Sequence, residues 1–190
     1  MDNNSLYSKY ENAFETFFGY IQHFLSNKIG DQVFSGLFST PFSISTINNP
    51  VINLATLDEI VGFYQTIRNT VYPEICQPET FLFFKINQLA FTPLSESTVM
   101  IAQQYVWFST PDETARYVEA FSYLFRQDST SGKWLMTNLI ELHSDFFPDN
   151  WIPAPIPNEL KYDQRAKVEN LKVLVPPKYR KPSTLDWQKL

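Results

Sequence analysis

The stretch Tyr117–Leu142, YVEAFSYLFRQDSTSGKWLMTNLIEL, constrains the fold more than any other part of the chain. Tyr117, Glu119, Phe121, Tyr123 and Phe125 alternate with Val118, Ala120, Ser122 and Leu124, which is the period of a β-strand. After a polar turn the alternation resumes. Trp134, Met136, Asn138, Ile140 and Leu142 are expected on one side, opposite Leu135, Thr137, Leu139 and Glu141. A hairpin is predicted over residues 117–126 and 133–142. Both of its faces are largely apolar, so one side is expected to pack on helices and the other to meet something else, such as a second subunit.

The helices come first in the chain. Tyr7, Tyr10, Phe14, Phe17, Phe18, Ile21, Phe24 and Leu25 recur at spacings that suit one long amphipathic helix, ending near Gly30. Ser8 and Glu11 have the spacing of a capping box. VFSGLF suits a short turn, and Phe42, Ile44 and Thr46 alternate as a short strand. The chain turns at Asn48-Asn49-Pro50 and returns over residues 51–55. Thr56 and Glu59 form a second capping box, opening a helix with Leu57, Ile60, Val61, Tyr64 and Ile67 on its apolar face. That helix must stop between Asn69 and Pro73. Long strands are predicted over residues 81–91 and 97–108, separated by the turn TPLSES, and STPDET leads into the hairpin.

Charge and composition bound the function. Residues 1–149 hold 7 Lys and Arg against 16 Asp and Glu, a net of −9, whereas residues 150–190 hold 8 against 4, a net of +4. An acidic body does not hold nucleic acid, because phosphate binding rests on cationic contacts. The basic segment can dock on its own acidic body or on an acidic partner. Seven of the thirteen prolines lie at or after Pro148, and Pro153, Pro155 and Pro157 rule out a central strand there. A folded domain over residues 1–147 is therefore expected, followed by a proline-rich basic tail over 148–190. The tail would be extended, with a short helix over 164–174 and Trp151 and Trp187 as anchors. No apolar run approaches a membrane span, and the N-terminus lacks the pattern of a secretory leader. With Cys76 as the single cysteine, no internal disulfide can form. The expectation is an intracellular protein, cytoplasmic or nuclear, with organellar import left open.

Helix, short strands, capped helix and a meander of long strands, in that order, resemble the nuclear transport factor 2-like superfamily over about residues 7–145. The closing segment RYVEAFSYLFRQDSTSGKWLMTNLIEL is similar to the last strands of eukaryotic nuclear transport factor 2 domains, with Trp134, Thr137 and Asn138 at the pattern positions. The resemblance implies a cone-shaped α+β fold, in which a curved mixed or antiparallel sheet wraps a long N-terminal helix. It also implies one of two activities. Some members, like ketosteroid isomerase and the SnoaL-like cyclases, use the cavity for acid–base chemistry. Others are non-enzymatic and dimerise through the sheet or bind proteins.

For the first activity, the position of the family's base falls near Ser45 and Thr46, and neither side chain is a base at neutral pH. Glu119 and Glu141 are the nearest carboxylates; Glu119 lies among Tyr117, Phe121 and Tyr123, where burial would tune it, and Glu141 suits a solvent-facing strand position. His23 and His143 stand far apart in sequence, so no metal cluster is expected. Cys76 has no His near it in sequence, and the five glycines form no phosphate loop, so no cofactor is expected. For the second activity, Tyr105, Trp107, Phe108, Phe121, Tyr123 and Phe125 offer more ring area than a modest core needs, and a partner or a second copy would cover the surplus. The resemblance matches Asp112 to one acid of the loop with which the transport factor holds its GTPase, and Glu113 is adjacent. Thr110 and Pro111 replace two positions of that loop, which puts the same partner in doubt. The sequence thus favours a non-catalytic adaptor or assembly module, with a small-molecule isomerase, cyclase or dehydratase as the alternative.

Overall fold

The computed structural model describes residues 3–26, 28–47, 49–71, 83–108, 115–143 and 148–161; at 3, 49, 70–71, 83–84, 107–108 and 115–117 it describes the backbone alone. Cys76, Asp112, Glu113, Trp187 and the helix expected over 164–174 lie outside these residues.

The N-terminal helix is two helices, α1 (Asn3–Lys9) and α2 (Glu11–Leu25). They meet at Tyr10, whose φ of −111° and ψ of 13° leave the helical region. The Ser8–Glu11 capping box does not form, and α2 starts from Tyr10 with no side-chain cap. Tyr10 is held by the sheet instead: its hydroxyl donates to the Ser95 carbonyl at 2.9 Å, and its ring meets Trp134 edge-on at 5.8 Å. Ala13, Phe14, Phe17, Tyr20, Ile21 and Phe24 make the buried stripe of α2. The short α3 (Gln32–Ser35) is capped by Asp31, which accepts from the Phe34 N–H at 2.7 Å.

Strands β1 (Phe38–Thr46) and β2 (Asn49–Leu54) form a hairpin that begins and turns earlier than the alternation alone suggests. The Thr40–Pro41 peptide is cis. The second capping box forms as expected at the head of α4 (Leu57–Val71). Glu59 N–H donates to Thr56 Oγ1 at 3.2 Å, and Glu59 Oε2 accepts from Ala55 and Thr56 N–H at 2.6 and 3.3 Å. Four strands follow: β3 (Phe83–Ser95), β4 (Thr98–Phe108), β5 (Ala115–Gln127) and β6 (Trp134–Leu142). The β5–β6 turn is tied by Asp128, whose carboxylate accepts from Thr130 N–H, Ser131 N–H and Ser131 Oγ, and it closes on Gly132 with φ of +70°.

The sheet order is β2-β1-β6-β5-β4-β3-β7, with β7 (Ile152–Pro153) added at the β3 edge. All neighbours are antiparallel except β1 and β6, which run parallel and bring the first strand beside the last long one. The curved sheet wraps α2 and α4, and their apolar stripes and its concave face make one core. Ala154, Ile156 and Leu160 pack against that core, so the proline-rich stretch after Pro148 is applied to the β3 edge.

One face assignment is corrected. A register shift opposite Leu124 and Phe125 inserts an extra residue at Thr137–Asn138 in β6. Thr137 Oγ1 holds this bulge by donating to the Leu124 carbonyl at 3.2 Å, and it meets Asn138 Oδ1 at 2.8 Å. Strict alternation therefore breaks. Trp134, Met136 and Leu139 are the buried residues of β6, and Ile140 and Leu142 do not continue the Trp134 side.

Candidate functional site: the ring-lined interior of the cone

Between the helices and the concave sheet face the interior is built from rings. Tyr64 of α4 meets Tyr20 of α2 at 5.5 Å, Phe34 at 5.6 Å and Phe38 at 5.5 Å. Phe17 and Tyr20 of α2 meet Tyr123 of β5 at 5.2 and 5.7 Å. These contacts have the tilted and edge-on geometries that ring quadrupoles favour.

Polar groups enter this interior from β4 and β5. Tyr105 and Glu119 are register partners, and the Tyr105 hydroxyl donates to Glu119 Oε2 at 2.7 Å. Glu119 is only 7% exposed. The Tyr105 ring stacks on Phe121 with centroids 5.9 Å apart. One register step further in, Gln103 Nε2 donates to the Tyr123 hydroxyl at 2.5 Å, while Gln103 Oε1 is buried with no hydrogen-bond partner. The Tyr64 hydroxyl lies near that of Tyr20, without hydrogen-bond geometry to any acceptor. Burial is the main cause that pushes the Tyr20, Tyr64 and Tyr123 hydroxyls above the ordinary tyrosine range, and the nearby Glu119 charge adds to it for Tyr20 and Tyr123.

The sign of this effect gives a prediction. A tyrosine whose folded pKa is raised favours folding fully below the ordinary value of about 10, and that stabilisation is lost as pH rises beyond it. In an alkaline titration followed by tyrosinate absorbance, Tyr20, Tyr64 and Tyr123 are expected to ionise only together with cooperative loss of helical circular dichroism. Reversible ionisation of all ten tyrosines before unfolding would contradict the burial described here.

Of the expected site residues, Tyr105, Phe121, Tyr123 and Phe125 line this interior and are buried within the chain, so they are not an exposed contact surface. Trp107 pairs through its backbone with Phe84 and Tyr117. Glu141 is half-buried on β6 opposite Phe121, rather than fully solvent-facing. Trp151 is half-buried beside β7. His23 Nδ1 contacts the Gly19 carbonyl at 2.7 Å, and its Nε2 lies 3.6 Å from Asp31. Among the described residues no three His, Cys, Asp or Glu side chains gather as metal ligands would, and no helix is long and apolar enough to cross a membrane.

Tyr20, Gln103 and Arg68 are among the interior residues that escape the sequence reading. Gln103 interrupts an apolar strand, and that interruption is its signal. Arg68 is 3% exposed and donates through Nη1 to the Phe24 carbonyl and, at 3.3 Å, to that of Leu25, so α4 closes the C-terminal end of α2. Its signal is position: four residues beyond Tyr64, it lies on the buried stripe of α4.

The outer sheet face divides into two parts. Ala102, Gln104, Val106, Ala120 and Ser122 are buried within the single chain, whereas Met100, Leu124, Leu135 and Ile140 are half-exposed. Elsewhere, an open groove of about 630 Å³ runs between α2, α3 and the tip of the β5–β6 hairpin, with Glu15 and Lys133 among its lining residues.

No protein-family model matches the chain, and no curated protein does. Solved structures do. An NTF2-like protein with a cystatin-like fold from Novosphingobium aromaticivorans aligns over 72% of this chain and 82% of its own, at 12% identity and a TM-score of 0.53. An NTF2-like protein of unknown function from Pseudomonas putida aligns over 69% and 83%, at 8% identity and 0.52. A proposed ketosteroid isomerase from Shewanella frigidimarina aligns over 69% and 94%, at 8% identity and 0.51. Identities this low speak to architecture alone, and together with the seven-stranded curved sheet around α2 they show that the chain has the nuclear transport factor 2-like fold.

Proposed function

We propose that the chain is a non-catalytic protein-binding module, an adaptor or assembly subunit, that docks through the half-exposed part of its outer sheet face. The observation that carries this reading is the packing of rings inside the cone. Between α2, α4 and the sheet, Tyr20, Phe34, Phe38, Phe42, Tyr64 and Tyr123 lie against one another, each at most 8% exposed. A reaction chamber needs room for a substrate beside its acid and base. By contrast, Met100, Leu124 and Ile140 leave apolar area outside, next to the uncharged Thr137 and Asn138. In this reading residues 148–161, applied to the β3 edge, belong to the folded body, and the basic residues after them extend the contact with the partner.

A second reading rests on Glu119. A carboxylate buried in a cone and facing the Tyr105 hydroxyl is the pairing that proton transfer next to a carbonyl requires, and it supports a small-molecule isomerase, cyclase or dehydratase. One experiment separates the two. Leu124→Arg and Glu119→Gln are each compared with the native chain in affinity capture and in turnover of a β,γ-unsaturated ketosteroid. The binding reading expects Leu124→Arg to lose captured protein at least tenfold, Glu119→Gln to retain it, and no turnover by any form. Turnover by the native chain that Glu119→Gln lowers a hundredfold or more would replace this reading with the second.

A further inference from the structure

The interior rings are of two chemical kinds. Phe14, Phe17, Phe34, Phe42, Phe91 and Phe125 are fully buried hydrocarbon. The buried tyrosines bring hydroxyls, and Tyr10 and Tyr105 spend theirs on the Ser95 carbonyl and on Glu119. The other three, Tyr20 of α2, Tyr64 of α4 and Tyr123 of β5, converge. The Tyr20 ring lies 5.5 Å from that of Tyr64 and 5.7 Å from that of Tyr123. The Tyr64 hydroxyl is within electrostatic reach of both Tyr20 and Tyr123.

Strand β4 sends a fourth polar group to the same place. Gln103 is 2% exposed and donates through Nε2 to the Tyr123 hydroxyl. Two atoms of the cluster have no hydrogen-bond partner among the described residues. One is Gln103 Oε1, and the other is the Tyr64 hydroxyl, close to that of Tyr20 but without hydrogen-bond geometry to it. Turning the amide end for end does not help. Oε1 would then accept from Tyr123, and the amide N–H groups would be left over instead. A buried polar group without a partner destabilises a fold by more than a typical made hydrogen bond contributes. Globular proteins resolve such sites with an internal water, which makes about three hydrogen bonds to groups that nothing else satisfies.

We infer that this cluster is a binding site for one internal water, which donates to Gln103 Oε1 and accepts from the Tyr64 hydroxyl. The neighbouring hydroxyls of Tyr20 and Tyr123 complete its surroundings. Chemistry selects the occupant. The Gln103 acceptor requires a donor and the Tyr64 O–H requires an acceptor, so the guest must be both, and water is the smallest molecule that is. An ion is disfavoured, because the amide is neutral and burial keeps the three hydroxyls protonated far above neutral pH, leaving no countercharge within the cluster. The site lies one register step further into the cone than the Glu119–Tyr105 pair and is distinct from it. It holds under either reading of the function. Its role is to join elements: through one oxygen, Tyr64 of α4 is hydrogen-bonded to Gln103 of the sheet, a directional link that ring contacts do not supply.

The test joins a crystal structure of the full native chain with oxygen-17 relaxation dispersion of the solvent, which counts internal waters that exchange more slowly than the protein tumbles. The expected density is a single oxygen within about 3.2 Å of both Gln103 Oε1 and the Tyr64 hydroxyl. Gln103→Met keeps the length of the side chain and removes the amide, and it is expected to lower the count of long-lived waters by one. Tyr10→Phe is the control. It removes a buried hydroxyl that the Ser95 carbonyl already satisfies, and the count should not change. Circular dichroism verifies that each variant is folded. Should Gln103→Met fail to fold, Tyr64→Phe takes its place and is expected to shorten the residence time of this water at least tenfold. Carbon atoms alone around Gln103 Oε1 in the native crystal overturn the inference. So does an unchanged count in Gln103→Met, or an unchanged residence time in Tyr64→Phe. Density larger than one oxygen, or a water that a β,γ-unsaturated ketosteroid displaces, gives the site to a ligand and overturns it as well.

Discussion

Tyr64→Ala is expected to lower the unfolding free energy by about 3–5 kcal/mol, the usual range for truncating a large ring in a packed core. Tyr64 is 2% exposed and meets the rings of Tyr20, Phe24, Phe34, Phe38, Phe42 and Phe63 with centroids 5.5 to 6.4 Å apart. These rings come from α2, α3, β1 and α4, so one side chain joins every element that closes the cone on that side. Neighbours cannot collapse into the gap without moving two helices, which places the effect toward the upper end of the range. At roughly 2–4 °C per kcal/mol for a domain of this size, the melting temperature would fall by about 6–20 °C. Tyr64→Phe is the control. Its hydroxyl is buried without hydrogen-bond geometry to an acceptor, so removing it should change stability by less than about 1 kcal/mol in either direction. Urea unfolding of the three proteins decides the matter. If the alanine variant lost less than about 1 kcal/mol, the ring cluster would not be the keystone of the interior.

The same cluster bears on the choice between chemistry and binding. Seventeen phenylalanines and ten tyrosines invite the idea of surplus ring area waiting for a partner. Most of the rings singled out for that role, Tyr105, Phe121, Tyr123 and Phe125, are spent inside the cone on α2 and on one another. Among the described side chains of β4, β5, β6 and β2, the apolar area left outside is aliphatic: Met100, Leu124, Leu135 and Ile140 on the face, Val51 at the edge. Alternation along β5 identified the correct side of each residue, but not which side was the inner one. That depends on where α2 lies, a contact about a hundred residues distant in sequence.

Legibility follows the range of the interaction. The Thr56–Glu59 capping box and the apolar stripe of α2 are local; the capping spacing reads the first correctly, and the helical spacing reads most of the second while missing Tyr20. The interruption at Tyr10 carries no proline or glycine, because its cause is a hydrogen bond to Ser95 on another element. The bulge at Thr137–Asn138 hides in an unbroken strand pattern, since an extra residue shows only as a register shift against β5. The parallel pairing of β1 with β6 joins distant segments, and it follows from the fold rather than from either strand. Glu119 was legible as a carboxylate among rings. Its Tyr105 donor required the β4–β5 register, Tyr105 opposite Glu119, that only the folded sheet provides.

Arg68→Ala is expected to cost about 2–3 kcal/mol, because a buried charged donor is removed from a helix end. The last carbonyls of a helix have no partner within it, and at the C-terminal end of α2 two of them, from Phe24 and Leu25, receive the Arg68 guanidinium. The same group lies 5.9 Å from the centre of the Phe24 ring, so cation and ring add to the attraction. Removing it takes a donor from one buried and one partly buried carbonyl and loosens the joint that fixes α4 against α2. Two further variants apportion the effect. Arg68→Met keeps the apolar stem and removes the donors, so it isolates the hydrogen bonds from the packing. Arg68→Lys keeps the charge, but a single ammonium cannot reproduce the planar fork, and it should recover less than half of the loss. Amide hydrogen exchange should show the change first at the C-terminal turn of α2, ahead of the sheet, because the joint opens there before the core does. Arg68→Met with native stability and native exchange at Phe24 and Leu25 would mean that the guanidinium merely fills space, and the helix end would then owe its order to the ring cluster alone.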